Sequence, residues 1–202
     1  AAEAFAYGVD AALRIDPGDR QAFANMLAFL EGLGEAPSLA PAANIAVLDE
    51  GSPLLPEVLN LLARRNLLFR VVTAPDPQAD LNVRIGSPEF PAAEAADPVA
   101  FADTVRRRLT DPKRLLRIYG SEVVLGRLLL GAGRARIHLL NYGSEKVEGL
   151  RVRVRGSYGV DRIAVFGYAE AKPQDYLTEG GATEFTIPQL GVYAVVDLRT
   201  VK

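Results

Sequence analysis

Residues Ala135–Gly156 read ARIHLLNYGSEKVEGLRVRVRG, and the fold depends on how this stretch is parsed. Two runs rich in apolar side chains flank a polar Gly143-Ser144-Glu145-Lys146 turn, which is the pattern of a β-hairpin. On the second run Leu150, Val152 and Val154 alternate with Arg151, Arg153 and Arg155. Successive strand residues point to opposite faces, so one face is apolar and the other cationic. The stretch predicts the centre of an antiparallel sandwich.

Further runs of the same kind surround it. Arg114–Tyr119, Val123–Leu130, Val147–Arg155, Arg162–Ala169, Glu184–Ile187 and Val192–Arg199 are separated by glycine-containing turns. With Ala135–Tyr142 they predict seven short strands over residues 112–202, the density of an immunoglobulin-like antiparallel β-sandwich. Gly131-Ala132-Gly133 reads as a hairpin turn, since no helix follows it.

Upstream the rhythm changes. Asn44–Asp49, Leu68–Thr73 and Leu81–Ile85 read as strands, with helices opened by Ser52-Pro53 and Asp97-Pro98. Leu54, Leu55, Val58, Leu59 and Leu62 form one apolar helix face; Val99, Ala102, Val105 and Leu109 form another. Strand-helix-strand order predicts a small parallel α/β layer of three or four strands. A further helix opens at Asp16-Pro17, presents Phe23, Met26, Leu27, Leu30 and Leu33, and closes at Gly32 and Gly34. Residues 35–43 read as an Ala/Pro-rich linker. The expected organisation is α+β with two domains: α/β over 1–111 and sandwich over 112–202. Charge changes sign at the same place. Residues 1–111 hold nine Lys and Arg against sixteen Asp and Glu, and residues 112–202 hold fourteen against nine.

Composition excludes several classes. Hydrophobic residues make up 49% and charged residues 24%, which is globular rather than disordered. No apolar run approaches the length of a membrane-spanning helix. There is no cysteine, hence no disulfide framework, zinc-thiolate site or cysteine nucleophile. No recognition helix or aromatic-basic motif points to nucleic acid. No metal site or cofactor is expected. A start at Ala1-Ala2-Glu3 reads as a mature form after signal cleavage or as a trimmed chain, with an extracellular or periplasmic setting preferred.

Candidate chemistry is sparse. Asp49 and Glu50 follow the first parallel strand, and Ser52 opens the next helix. Ligands of open α/β sheets gather beyond the carboxyl ends of strands, so Asp49, Glu50 and Ser52 are the ligand-binding candidates. The loop lacks a glycine-rich phosphate pattern. His138, the single histidine, stands between Ile137 and Leu139 without triad or metal partners, and reads as structural. Glu89 and Asp175 lie beside aromatic residues and read as loop acids. The Arg151/Arg153/Arg155 stripe fits either a polyanion or a solvated sheet face, and the second is preferred. Six of the seven tyrosines fall in the sandwich half, compatible with sugar stacking or with ordinary burial. No residue is assigned a catalytic role.

The segments IHLLNYG (Ile137–Gly143), GLRVRVRG (Gly149–Gly156) and TEFTIPQLGVYAVVDL (Thr183–Leu198) resemble strands of the terminal β-sandwich of secreted bacterial glycosidases. Residues 44–110 are similar in layout to the α/β trimerisation domain of certain β-galactosidases. The resemblance implies a flavodoxin- or amidotransferase-like layer lacking the amidotransferase nucleophile. Those enzymes carry their catalytic glutamates on a (β/α)₈ barrel of ~250 residues, for which this chain has no room. The resemblance therefore implies a non-catalytic accessory or interaction protein of carbohydrate processing, with self-association or a protein partner through the α/β half and carbohydrate as a further partner. Two other readings stay open. One is a glycoside hydrolase using carboxylates at the end of the first parallel strand. The other is a small-molecule binding module with an interdomain pocket.

Overall fold

A computed structural model describes every residue except Glu35, Pro37, Ala169, Glu170 and Lys202. The start of the expected linker and the end of the strand expected at Arg162–Ala169 thus lie outside the described residues. The chain is mixed α and β. It forms α1 (Ala2–Tyr7), α2 (Arg20–Leu33), β1 (Ala40–Pro41), β2 (Ile45–Leu48), α3 (Leu55–Arg64), β3 (Phe69–Val72), β4 (Leu81–Val83), α4 (Ala92–Ala95) and α5 (Pro98–Leu109). Then come β5 (Leu116–Tyr119), β6 (Val124–Gly131), β7 (Arg134–Asn141), β8 (Val147–Arg155), β9 (Tyr158–Val165), β10 (Gln174–Glu179), β11 (Ala182–Leu190) and β12 (Tyr193–Thr200).

β2 is the centre of a three-stranded sheet in the order β3-β2-β4, parallel to both neighbours. Its four residues are all buried, as a central strand covered on both sides requires. Ile45 and Val47 pack on Leu55, Val58 and Leu62 of α3 and on Phe101, Ala102, Val105 and Leu109 of α5. α5 begins as its sequence predicts: the Asp97 carboxylate accepts from the Val99 and Ala100 amides at 3.1 Å, and Pro98 needs no amide partner. Its inward residue is Phe101, fully buried, whereas Val99 points out at 50% exposure.

The remaining strands make two facing sheets, ordered β1-β6-β7-β12-β9 and β10-β11-β8-β5. Between them lie Ile137 and Leu139 of β7, Leu150, Val152 and Val154 of β8, Phe185 and Ile187 of β11, and Val196 of β12. The hairpin expected within Ala135–Gly156 does not form. β7 pairs with β6 and β12, while β8 pairs with β11 and β5, so residues 142–146 cross from one sheet to the other. Asn141 holds the crossing. Its side-chain amide donates to the Glu145 carbonyl at 2.8 Å and to the Gly191 carbonyl at 3.0 Å, and its oxygen accepts from the Gly143 amide at 2.9 Å. A five-residue polar connection serves a hairpin or an arch equally well. The distinguishing mark is that β7 is buried on both faces and β8 on one. The hairpin at Gly131–Gly133 does form, between β6 and β7.

β10 was not among the seven expected strands. All its residues are exposed, so no apolar alternation marks it. Gly180 and Gly181, both at positive φ (58° and 73°), provide the tight turn that folds β10 back on β11.

The N-terminal helices correct the division of the chain. They were assigned to the α/β half, but Ala2, Ala6, Leu30 and Leu33 pack on Leu140, Ala164, Tyr193 and Val195, the outer face of the five-stranded sheet. β1 also joins that sheet, through β6. The sandwich therefore draws on residues near both ends of the chain, with residues 44–111 between them.

Asn66 fastens the two halves. It closes α3 in the left-handed conformation at φ 53°, which asparagine tolerates better than most residues. The side-chain amide donates to the Val124 carbonyl at 3.0 Å, and its oxygen accepts from the Gly126 amide at 2.6 Å. One side chain thus pairs with the free edge of β6 as a neighbouring strand would. Nearby, Asp80 accepts from Asn44 and from Arg155, both at 2.8 Å, and Asn44 also donates to the Lys113 carbonyl. Asn66→Ala should cost about 2 kcal/mol, because two buried backbone groups lose their partners. Denaturant unfolding is the measurement. Asn66→Gly, which relieves the backbone but not the missing bonds, should also fall below wild type.

Candidate functional site

The loop after β2 is where the sequence placed its candidates. The Asp49 amide extends the sheet by donating to the Val72 carbonyl, and the Asp49 carboxylate accepts from the Gly51 amide at 3.0 Å. Gly51, at φ 76°, allows that tight turn. Ser52 Oγ accepts from the Leu54 amide at 3.3 Å. Glu50 leaves this turn and meets Arg84, beyond the end of β4, at 3.0 Å. The three candidates do sit at the carboxyl end of the parallel sheet. They turn and cap their own loop rather than converge on one point.

Next to them, the loop after β3 is organised by Asp76. Its amide donates to the Asn82 side-chain oxygen at 2.7 Å, the Asn82 side-chain amide donates back to the Asp76 carbonyl at 2.8 Å, and the Asp76 carboxylate pairs with Arg70. Of the acids at this end of the sheet, Glu50 and Asp76 each have an arginine, while the Asp49 carboxylate binds the Gly51 amide. Arg84 escaped the sequence reading because it lies beyond β4, 34 residues from its partner Glu50, whereas Arg70 stands on β3 and pairs with an acid of the loop that follows it. Among the described residues, no three His, Asp or Glu side chains gather as metal ligands.

On the sandwich, the arginine stripe is largely neutralised. Arg151 and Arg153 share Glu184 at 3.0 and 3.6 Å, and Arg155 reaches Asp80 at 2.8 Å. Of the six tyrosines, Tyr193 is fully buried, while Tyr142, Tyr168 and Tyr176 are 53%, 42% and 45% exposed.

His138 is buried under α1, on the face of β7 opposite Ile137 and Leu139. Its Nδ1 and the Tyr193 hydroxyl share a hydrogen bond of 2.6 Å, and the Phe5 ring meets it edge-on at 6.0 Å. Burial, reinforced by Arg136 and Arg127, pushes its pKa from 6.5 down to about 4 against the weaker pull of Asp197, so the ring is neutral near pH 7. It is a packed core histidine.

Between the halves lies a cleft of about 300 Å³. Ala63, Leu67, Leu68 and Phe69 line it from the α/β side, and Leu125–Leu128, Pro41, Ala42 and Tyr7 from the sandwich side. Arg127 is its one charged lining residue, with the guanidinium carbon 4.6 Å from the centre of the Tyr7 ring. The sequence held no local sign of this cleft, because its walls come from four separate segments.

No family model matches the chain, and no curated protein matches it. Solved structures do. The α-L-fucosidase isoenzyme 2 of Paenibacillus thiaminolyticus aligns with 100% of this chain and 56% of its own, at a TM-score of 0.66 and 11% identity. An α-amylase of H. orenii (57% of this chain, 21% of its own, 14% identity) and the maltogenic α-amylase AmyB of Thermotoga neapolitana (99%, 48%, 8% identity) align at TM-scores of only 0.25 and 0.28. At such identities the likeness is one of fold. This chain spans about half the length of the fucosidase it matches, and over its whole length it has the fold of part of a glycosidase chain.

Proposed function

We propose that this chain is a non-catalytic accessory unit of carbohydrate processing, in an extracellular or periplasmic setting. In this reading the parallel layer is flavodoxin- or amidotransferase-like and meets a partner or a second copy. The sandwich is immunoglobulin-like and spaces or presents it. The observation that carries the proposal is the fold likeness to part of a glycosidase chain across both halves at once. The local use of Asp49, Glu50 and Ser52 supports it, since a general acid and its partner must be free to face one substrate bond.

The hydrolase reading makes an opposite forecast. Incubated with nitrophenyl α-L-fucoside, α-glucoside and β-galactoside, the chain is expected to release no nitrophenol above the buffer rate. Asp49→Asn and Glu50→Gln should leave that result unchanged. Turnover that disappears in either variant would replace the accessory reading with a carboxylate hydrolase. The binding-module reading has an observation of its own in the interdomain cleft.

A further inference from the structure

Arginines withdrawn from solvent in this protein have an oxygen to bind. Arg65 lies on Asp103, Arg136 on Asp197, Arg151 on Glu184 and Arg155 on Asp80. Even Arg162 reaches the Gly32 carbonyl. Arg127 is the exception. It is half-buried in the cleft between the halves, and among the described residues it forms neither a hydrogen bond nor an ion pair. Its contact is the face of Tyr7. Burying a guanidinium without a counter-charge is unfavourable, so the group is held ready for an anion or solvated at the cleft mouth.

The rest of the cleft narrows the choice. Its walls are Leu67, Leu68, Phe69 and Leu125, with the small residues Ala42 and Ala63 leaving the space open. One fixed positive charge among the lining residues matches a monoanion better than a doubly charged phosphate. The planar fork of arginine binds both oxygens of a carboxylate at once. Tyr7 closes the same corner, and burial pushes its phenol up, against the pull of Arg127, so its hydroxyl stays protonated and able to donate. An apolar chamber with a few convergent polar groups is the usual form of a small-ligand site.

We infer that the cleft between the α/β layer and the sandwich binds a small carboxylic acid with an apolar body, its carboxylate on Arg127 and Tyr7 and its body against Leu67, Leu68 and Phe69. The site joins the two halves, so occupation would also tighten their union. It does not depend on the carbohydrate-processing reading.

Benzoate and cyclohexanecarboxylate are the probes, titrated into the full chain and followed by calorimetry and by amide shifts at Ala63, Leu68 and Gly126. Benzamide and inorganic phosphate are the controls. Either carboxylate should bind at least tenfold more tightly than benzamide or phosphate. Arg127→Met, which keeps the aliphatic stem, should weaken carboxylate binding at least tenfold without lowering the Tm of the free protein. Ala63→Leu, which fills the chamber and leaves the charge, should weaken it as well. The inference is overturned if both carboxylates bind no better than benzamide, or if the shifts fall outside the cleft. It is equally overturned if Arg127→Met and Ala63→Leu both bind as the wild type does. If Arg127→Met fails to fold, Ala63→Leu and the benzamide comparison decide.

Discussion

Asp197→Ala is expected to destabilise the protein by on the order of 3 kcal/mol, as removal of one partner from a buried ion pair does. Arg136 is buried under the carboxyl end of α2. Its guanidinium binds both Asp197 oxygens, at 2.6 and 3.1 Å, and donates to the Gly34 carbonyl at 2.8 Å and the Leu33 carbonyl at 3.4 Å. The cation thus ties the last carbonyls of a helix to β12 across β7. Without the carboxylate, a charge remains in a place with little water to solvate it. Arg136→Met combined with Asp197→Leu should recover part of the loss, because no charge is then stranded. Urea unfolding of the two singles and the double variant measures the coupling. Limited proteolysis should show residues 20–34 becoming the first cleaved segment in Asp197→Ala. A midpoint within 0.3 M urea of wild type, corresponding to less than about 1 kcal/mol at ordinary m-values, would mean that the pair contributes little.

The second large effect is expected with acid. The folded-state pKa of His138 lies at about 4 against 6.5 for the free side chain. Between those values the unfolded chain holds a proton on this ring that the folded chain refuses. Stability is therefore full above about pH 6.5 and is lost progressively as pH falls towards 4, by on the order of 3 kcal/mol in all. The groups facing the ring agree with this sign. Burial acts first, the Arg136 and Arg127 cations add to it, and Asp197 opposes them; the Tyr193 hydroxyl is neutral throughout. Asp80 and Asp111 cannot imitate the effect. Asn44 and Arg155 hold the Asp80 carboxyl below 3.8, and around Asp111 the arginines 106, 117 and 114 outweigh burial, so both act below that pH. Thermal unfolding from pH 7 to pH 4 should show a steady fall in wild type. In His138→Gln the curve should be much flatter over the same range, whatever its absolute level. Equal slopes in the two proteins would remove His138 as the cause.

Several elements could be read from the residues alone because their causes are local. Asp97-Pro98 opens α5 through hydrogen bonds two and three residues away, and β2 declares its burial by having no polar residue. Other features depend on contacts that a local pattern does not contain. The apolar stripe of α2 shows that one face is covered, not by which surface, and so its attachment to the sandwich was missed. Leu27 shows the limit of periodicity, since it lies on the stripe yet is 40% exposed. The Gly143–Lys146 turn reads as a hairpin in the sequence because turn chemistry is silent on whether the next strand returns beside the last. At the candidate site the position of Asp49, Glu50 and Ser52 was legible from the strand-to-helix junction. Arg84, 34 residues from its partner Glu50, was not. Arg127 was the least visible of all, because its importance lies in what does not surround it.

The position of β1 has a consequence for dissection of this protein. The polypeptide lays two helices and a two-residue strand on the sandwich, departs to build the parallel layer, and returns to finish the sheets. In effect the layer is an excursion from a single β-rich body, leaving near Ala42 and rejoining near Arg114. Severing the chain at the change of charge would strip Tyr193, Leu140 and Val195 of their cover and leave Arg127 facing open water. Pieces meant to behave as native must instead be cut on both sides of the excursion, so that the first forty residues stay with the last ninety.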